Sequence, residues 1–163
     1  MLASLVSKYC HKGVLIDTNL LVGYIVGNLG TKHLVNCRAT KTFTPDDFLL
    51  LGNFIKGFKK LVTTPNILTE VSNLGGKLPS SLHEEFRAAF GLIVDSLTEK
   101  YEPSKRIASH TDFPRFGLAD TALIMIAPGN HLVLTDELPL FGLLQKRGVD
   151  VINFNHLRTY SWS

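Results

Sequence analysis

The chain predicts an α/β fold, a single-domain three-layer α/β/α sandwich around a central, mostly parallel twisted sheet. Three observations predict it. Short apolar runs, Val14-Leu15-Ile16, Leu61-Val62-Thr63 and Leu132-Val133-Leu134-Thr135, alternate with longer segments of helical spacing, the pattern of βαβ units with right-handed crossovers. These runs are continuously apolar, as buried strands covered on both faces must be. Finally, 163 residues at 45% apolar composition supply one proper core, and nothing in the chain marks a second domain.

Taken in order, the opening strand ends on Asp17, and Leu20 to Val26 continues as an apolar helix or turn that Gly27 to Gly30 should end. Asp17 thus lies at the carboxyl end of a central strand, the edge where open α/β sheets bind ligands and metals. Residues 31 to 43 read as a polar loop or a short helix. Thr44-Pro45-Asp46-Asp47 is a helix start, with a Thr cap, Pro at the first helical position and acids in the first turn. Phe48, Leu51, Ile55 and Phe58 carry that helix to about Lys59-Lys60, which read as partners of the helix dipole in preference to a phosphate-binding patch.

After the strand at 61–63, Thr64-Pro65 repeats the cap-plus-proline signal for a helix over 66–74, closed by Gly75-Gly76 and carrying Glu70 on its second turn. Ser80 or Ser81 is expected to cap a long helix reaching about Tyr101, with Leu82, Phe86, Ala89, Phe90, Ile93 and Leu97 as its apolar stripe. Residues 103 to 114 read as a polar connection containing a brief edge strand at Arg106-Ile107-Ala108. Gly117-Leu118-Ala119-Asp120 opens a buried helix over 121–127. The strand that ends at Thr135 runs into Asp136-Glu137. Pro139 then starts a helix reaching Arg147, Gly148 stops it, and a final strand covers 149–154. The tail, 155–163, carries no clear signal, and Trp162 is expected to pack on the body or on a partner.

Seventeen Lys and Arg against fourteen Asp and Glu give a formal charge of +3, compatible with a polyanionic substrate but not predictive of one. The two cysteines, Cys10 and Cys37, form neither a C-x-x-C pair nor a metal-like cluster, and they read as ordinary reduced thiols. No apolar run approaches the roughly 18 residues of a membrane span, and the N-terminal segment is too short for a signal-peptide core. A soluble cytoplasmic protein without membrane association is the expectation. The six histidines are scattered without metal-ligand spacing. Lys12, Lys56, Arg106 and Arg115 are candidate phosphate contacts.

Four acids stand at equivalent places: Asp17 and Asp136 just past strands, Glu70 and Asp120 in the opening two turns of helices. The topology brings them to one edge. Clustered carboxylates repel and raise one another's pKa, so cations must offset them. Oxygen ligands without His or Cys point to Mg²⁺ or Mn²⁺ and away from zinc. One or two such ions held by acids cut phosphodiesters by lowering the pKa of a bound water and offsetting charge on the leaving oxygen. Asn19 and Thr135 are candidate supports that orient acids or water by hydrogen bonds, although turn and cap roles explain them equally well.

In Asp17-Thr18-Asn19, the Thr64 to Val71 helix with Glu70, Gly117-Leu118-Ala119-Asp120 and Leu134-Thr135-Asp136, taken in that order, the chain resembles a PIN domain, the small α/β nuclease fold that includes VapC-type toxins. The resemblance implies a divalent-metal-dependent endoribonuclease. Asp17, Glu70, Asp120 and Asp136 would be its catalytic, metal-binding acids, with RNA as substrate, a homodimer and an antitoxin that covers the acidic edge as partners. Many PIN domains write the last motif as Thr, any residue, Asp, which would put Glu137 in the ligand position. Either residue can be the fourth acid, and Asp136 is preferred. The chain is longer than a minimal toxin, which weakens the transfer of toxin biology. Rival readings are a PIN-like module that binds RNA or protein without cutting, a phosphatase with an Asp after its first strand, and acids that never converge. The phosphatase pattern needs a second Asp where Asn19 stands.

Overall fold

The computed structural model describes residues 1–161, so Trp162 lies outside the described residues. A helix α1 (Leu2–Tyr9) precedes the first strand, β1 (Val14–Ile16), which is followed by α2 (Thr18–Leu29). Two short 3-10 turns (Thr31–Asn36, Arg38–Thr40) lead to α3 (Pro45–Ile55), β2 (Leu61–Thr63) and α4 (Pro65–Gly75). Next come α5 (His83–Ser96), β3 (Thr98–Glu99), α6 (Ser104–Ala108) and α7 (Phe113–Ile126). The chain closes with β4 (Leu132–Thr135), α8 (Leu138–Lys146), β5 (Val151–Asn153) and α9 (Phe154–Ser161).

The five strands form one sheet in the order β3-β2-β1-β4-β5, and every pairing is parallel. Helices flank it, giving the three-layer α/β/α sandwich the sequence predicts. Val14 lies opposite Leu61 on one side and Leu132 on the other. Val14, Leu15, Leu132, Val133 and Leu134 have no exposed surface, as continuous apolar runs in a doubly covered sheet require. The chain builds outward from β1 through β2 to β3, then returns to the far side of β1 with β4. The β1/β4 junction is therefore the topological switch point, where diverging connections leave a crevice beyond the carboxyl ends.

The local signals hold where capping chemistry is strong. Thr44 and Asp47 form a reciprocal capping box on α3, and Thr64 accepts the Ile67 amide at 3.1 Å to start α4. Helix α2 ends within the expected Gly27–Gly30 stretch, at Leu29 with Gly30 as its C-cap, and Gly23 and Gly27 stay inside it as the flat places against which Phe43 and Phe48 pack. Several boundaries differ from the sequence reading. Helix α3 ends at Ile55, so Lys59 and Lys60 lie beyond its last turn and are not its dipole partners.

Ser80 and Ser81 belong to a 3-10 turn and do not cap α5, and the end of the expected long helix is instead the strand β3. That strand has two residues and pairs on one side only, too little to leave an apolar run. Arg106-Ile107-Ala108 is helical, with Ile107 fully buried. The final strand is shorter than 149–154, and α9 follows it directly.

Glycine marks the tightest helix contact. A Cβ on Gly75 would stand 1.9 Å from the Phe86 ring, whereas one on Gly91, inside α5, meets nothing within 4 Å. Gly75→Ala is expected to destabilise the protein by about 1–3 kcal/mol through overpacking, and Gly91→Ala to stabilise it by about 0.5–1 kcal/mol through reduced chain entropy. Denaturant midpoints check both. Equal stabilisation by the two would show that α4 and α5 are not in contact at Gly75.

Candidate functional site

The site is built on the switch point. Asp17 ends β1 and caps α2, and it is 2% exposed. Its Oδ1 accepts the Leu20 amide at 3.1 Å, and its Oδ2 accepts the Asp136 amide at 3.1 Å and the Thr135 hydroxyl. One carboxylate thus binds the carboxyl ends of β1 and β4 to each other. Thr135 Oγ1 in turn accepts the Glu137 amide at 3.0 Å, so the turn after β4 is shaped by the hydroxyl that holds Asp17.

Glu70 reaches the same edge from α4. Its Oε2 accepts the Thr18 hydroxyl at 3.0 Å, across 52 residues of chain. Asp120 arrives on α7, whose helical path breaks at Gly117 with φ 76° and ψ −171°. That positive φ suits glycine, and it lets a new helical segment begin at Leu118 with Asp120 in its first turn. The expected start of a buried helix at this glycine is therefore real, although helical residues precede it.

Electrostatics links the acids. Burial pushes the Asp17 carboxyl well above the usual carboxylate range, and the charges of Asp136 and Glu137 push the same way, against the hydrogen bonds from Thr135 and Leu20. Asp120 is raised to about 7, by burial first and then by Glu137 and Glu70. Glu137 is raised by burial, Asp136 and Glu70, and Asp120 opposes the shift through a side-chain hydrogen bond. Burial raises Asp136 also, while its hydrogen bond with Asp17 and the Arg158 guanidinium favour ionisation.

Asp17, Glu70, Asp120 and Asp136 are thus brought to one edge, together with Glu137. They stand as pairs, Asp17 with Asp136 and Asp120 with Glu137, with Glu70 anchored on Thr18. Glu137 is the acid whose charge reaches Asp17 and Asp120 and feels both Asp136 and Glu70, so it is as central as Asp136. Thr135 has the supporting contact expected of it. Asn19, half-buried in the first turn of α2, makes no side-chain hydrogen bond among the described residues. The sequence reading missed Thr18, Asn155, whose amide donates to the Asp136 carbonyl at 3.3 Å, and Arg158, which pairs with Asp47 at 2.9 Å. Thr18 was legible as the neighbour of Asp17; the other two lie in the tail and carry no motif.

Among the described residues, no three His, Cys, Asp or Glu side chains form a closed ligand group for a metal ion. The donor chemistry nonetheless fits a hard divalent cation: the cluster is all oxygen, burial and then neighbouring carboxylates raise Asp17, Asp120 and Glu137, and Asp136 Oδ1 is buried without a hydrogen-bond partner among the described residues. No protein-family model matches this chain, and no curated protein or solved structure matches it either.

Because the folded-state pKa of Asp120, about 7, lies above its ordinary 3.8, the folded protein holds more protons between those values. Stability from this group is therefore lost as pH rises through that window. His131 acts in the opposite direction, since burial lowers its pKa. Comparison with a variant removes that term. Asp120→Asn is expected to match the parent near pH 4 and to exceed its thermal midpoint above pH 7 in metal-free buffer. A parent-to-variant gap independent of pH would contradict the assignment.

Proposed function

We propose that this protein is a divalent-metal-dependent endoribonuclease of the PIN type, hydrolysing RNA phosphodiester bonds at the carboxylate cluster beyond β1 and β4. The observation that carries this reading is the convergence of Asp17, Glu70, Asp120, Asp136 and Glu137 at the switch point of a parallel sheet, with mutual repulsion left for a cation to offset.

Asp17, Asp136, Asp120, Glu137 and Glu70 would hold Mg²⁺ or Mn²⁺. When bound, such an ion supplies a water of lowered pKa and offsets charge on the leaving oxygen. The chain's own work is positioning. Three donors fix the Asp17 carboxylate, so its orientation is set before any ligand arrives. Thr18 orients Glu70, and the Gly117 break aims the first turn of the second α7 segment at the same edge. The proton that Asp120, raised to about 7, holds near neutral pH would be displaced on cation binding.

Purified protein incubated with labelled mixed-sequence RNA is expected to cleave with Mn²⁺ or Mg²⁺ and not with a chelator, and Asp17→Asn to fall to the chelator level. Thr135→Val, which loses the hydroxyl but keeps the shape, is expected to cost about 10–100-fold, the usual effect of removing a hydrogen bond that orients a metal ligand. Cleavage that survives in Asp17→Asn, or a wild type that binds metal and leaves every RNA intact, would overturn the reading. Proton release is a second readout. Calorimetry of Mn²⁺ binding near pH 6.5, repeated in buffers of different ionisation enthalpy, is expected to show net proton release that shrinks in Asp120→Asn.

A further inference from the structure

A second constellation gathers residues that precede β1, β2 and β4 with two, Lys100 and Tyr101, that follow the carboxyl end of β3. Lys12 precedes β1, Lys60 immediately precedes β2 and His131 immediately precedes β4, and all three line one cavity of about 480 Å³ together with Lys100, Tyr101 and Asn130. Met125 and Ile126, at the end of α7, give it an apolar wall. None of the three lysines forms an ion pair with an acid among the described residues, and Lys12 donates only to the Gly129 carbonyl at 3.0 Å. The one acid of the lining, Glu102, forms an ion pair with Arg106 at 3.0 Å, although its buried Oε2 accepts no hydrogen bond among the described residues. The lining thus carries three ammonium groups against one carboxylate, a net positive charge that attracts an anion.

Two further features narrow the anion. His131 is 6% exposed, and its Nδ1 faces the Lys12 carbonyl at 2.8 Å. A carbonyl only accepts, so Nδ1 carries the proton, and Nε2 has no protein partner. Burial, and then the charges of Lys100, Lys60 and Lys12, lower the pKa of the imidazole against its hydrogen bond to the Lys12 carbonyl, which favours a neutral ring among the lysines. Tyr101 is 71% exposed. A phenol ring left in water next to Lys100 is a free face for a flat aromatic group, and base-on-tyrosine stacking with lysine on phosphate is a common means of holding nucleotides.

We propose that this cavity binds a nucleotide unit, its phosphate between Lys12, Lys60 and Lys100 and its base against Tyr101. The site uses none of the carboxylates beyond β1 and β4, and it stands whether or not the protein cleaves RNA. The unit can be a free nucleotide or one residue of a single strand, and the phosphate and base chemistry is the same for both.

Calorimetric titration with ADP, inorganic pyrophosphate and a five-nucleotide RNA, all with chelator to prevent cleavage, separates the cases. Two variants accompany the parent: the double substitution Lys60→Gln with Lys100→Gln, and Tyr101→Ala. All three side chains are exposed, and circular dichroism verifies that the variants fold. A free-nucleotide site is expected to bind ADP, to lose about tenfold or more in the lysine variant, and to lose about tenfold for ADP but not for pyrophosphate in Tyr101→Ala. Binding of the pentanucleotide without ADP, weakened by both variants and with a shallower salt dependence in the lysine variant, assigns the same cavity to a strand. Absence of binding by all three probes, or binding that the lysine variant leaves unchanged, overturns the proposal. Pyrophosphate bound as tightly as ADP, with Tyr101→Ala indifferent, overturns the base contact.

Discussion

One buried carboxylate organises this molecule. Asp17 joins β1 to β4 through the Thr135 hydroxyl and the Asp136 amide while its other oxygen starts α2. A fully buried acid carries a large desolvation cost unless it is hydrogen-bonded, so those three donors are the condition for placing a charge there at all. The contacts span 118 and 119 residues of sequence. Closing a loop that long costs entropy before any contact repays it, so the carboxylate geometry depends on the finished sheet and not on any local motif.

The same dependence explains what sequence reading reached. The central strands and the helices over Pro45–Ile55 and Pro65–Gly75 were legible because uninterrupted apolar runs and a Thr-Pro start each have one cheap structural solution. The boundaries missed were those decided by tertiary contact. The end of the expected long helix is an edge strand because Val62 and Thr63 are there to pair with it. Lys59-Lys60 illustrates the cost of such an error: once α3 is seen to stop at Ile55, Lys60 no longer serves a helix end and is found beside Lys12 and Lys100.

For the carboxylate site, position was legible and pairing was not. An acid just past a strand, or in the opening two turns of a helix at the sheet edge, follows from topology, so Asp17, Glu70, Asp120 and Asp136 could be named together. Which acid pairs with which depends on side-chain direction. Asp136 and Glu137 are adjacent, yet one meets Asp17 and the other meets Asp120, because Thr135 holds the intervening turn by its amide contact.

The sheet order also sets how this protein meets its neighbours in a crowded solution. Its fully buried apolar strands, β1 and β4, are interior, while the two strands with an open side are β3, of two residues, and β5, of three. An open edge recruits other chains by presenting a row of unpaired amides and carbonyls. Here each row is too short to template a ladder, so the most aggregation-prone sequences of the chain are shielded by the least adhesive ones.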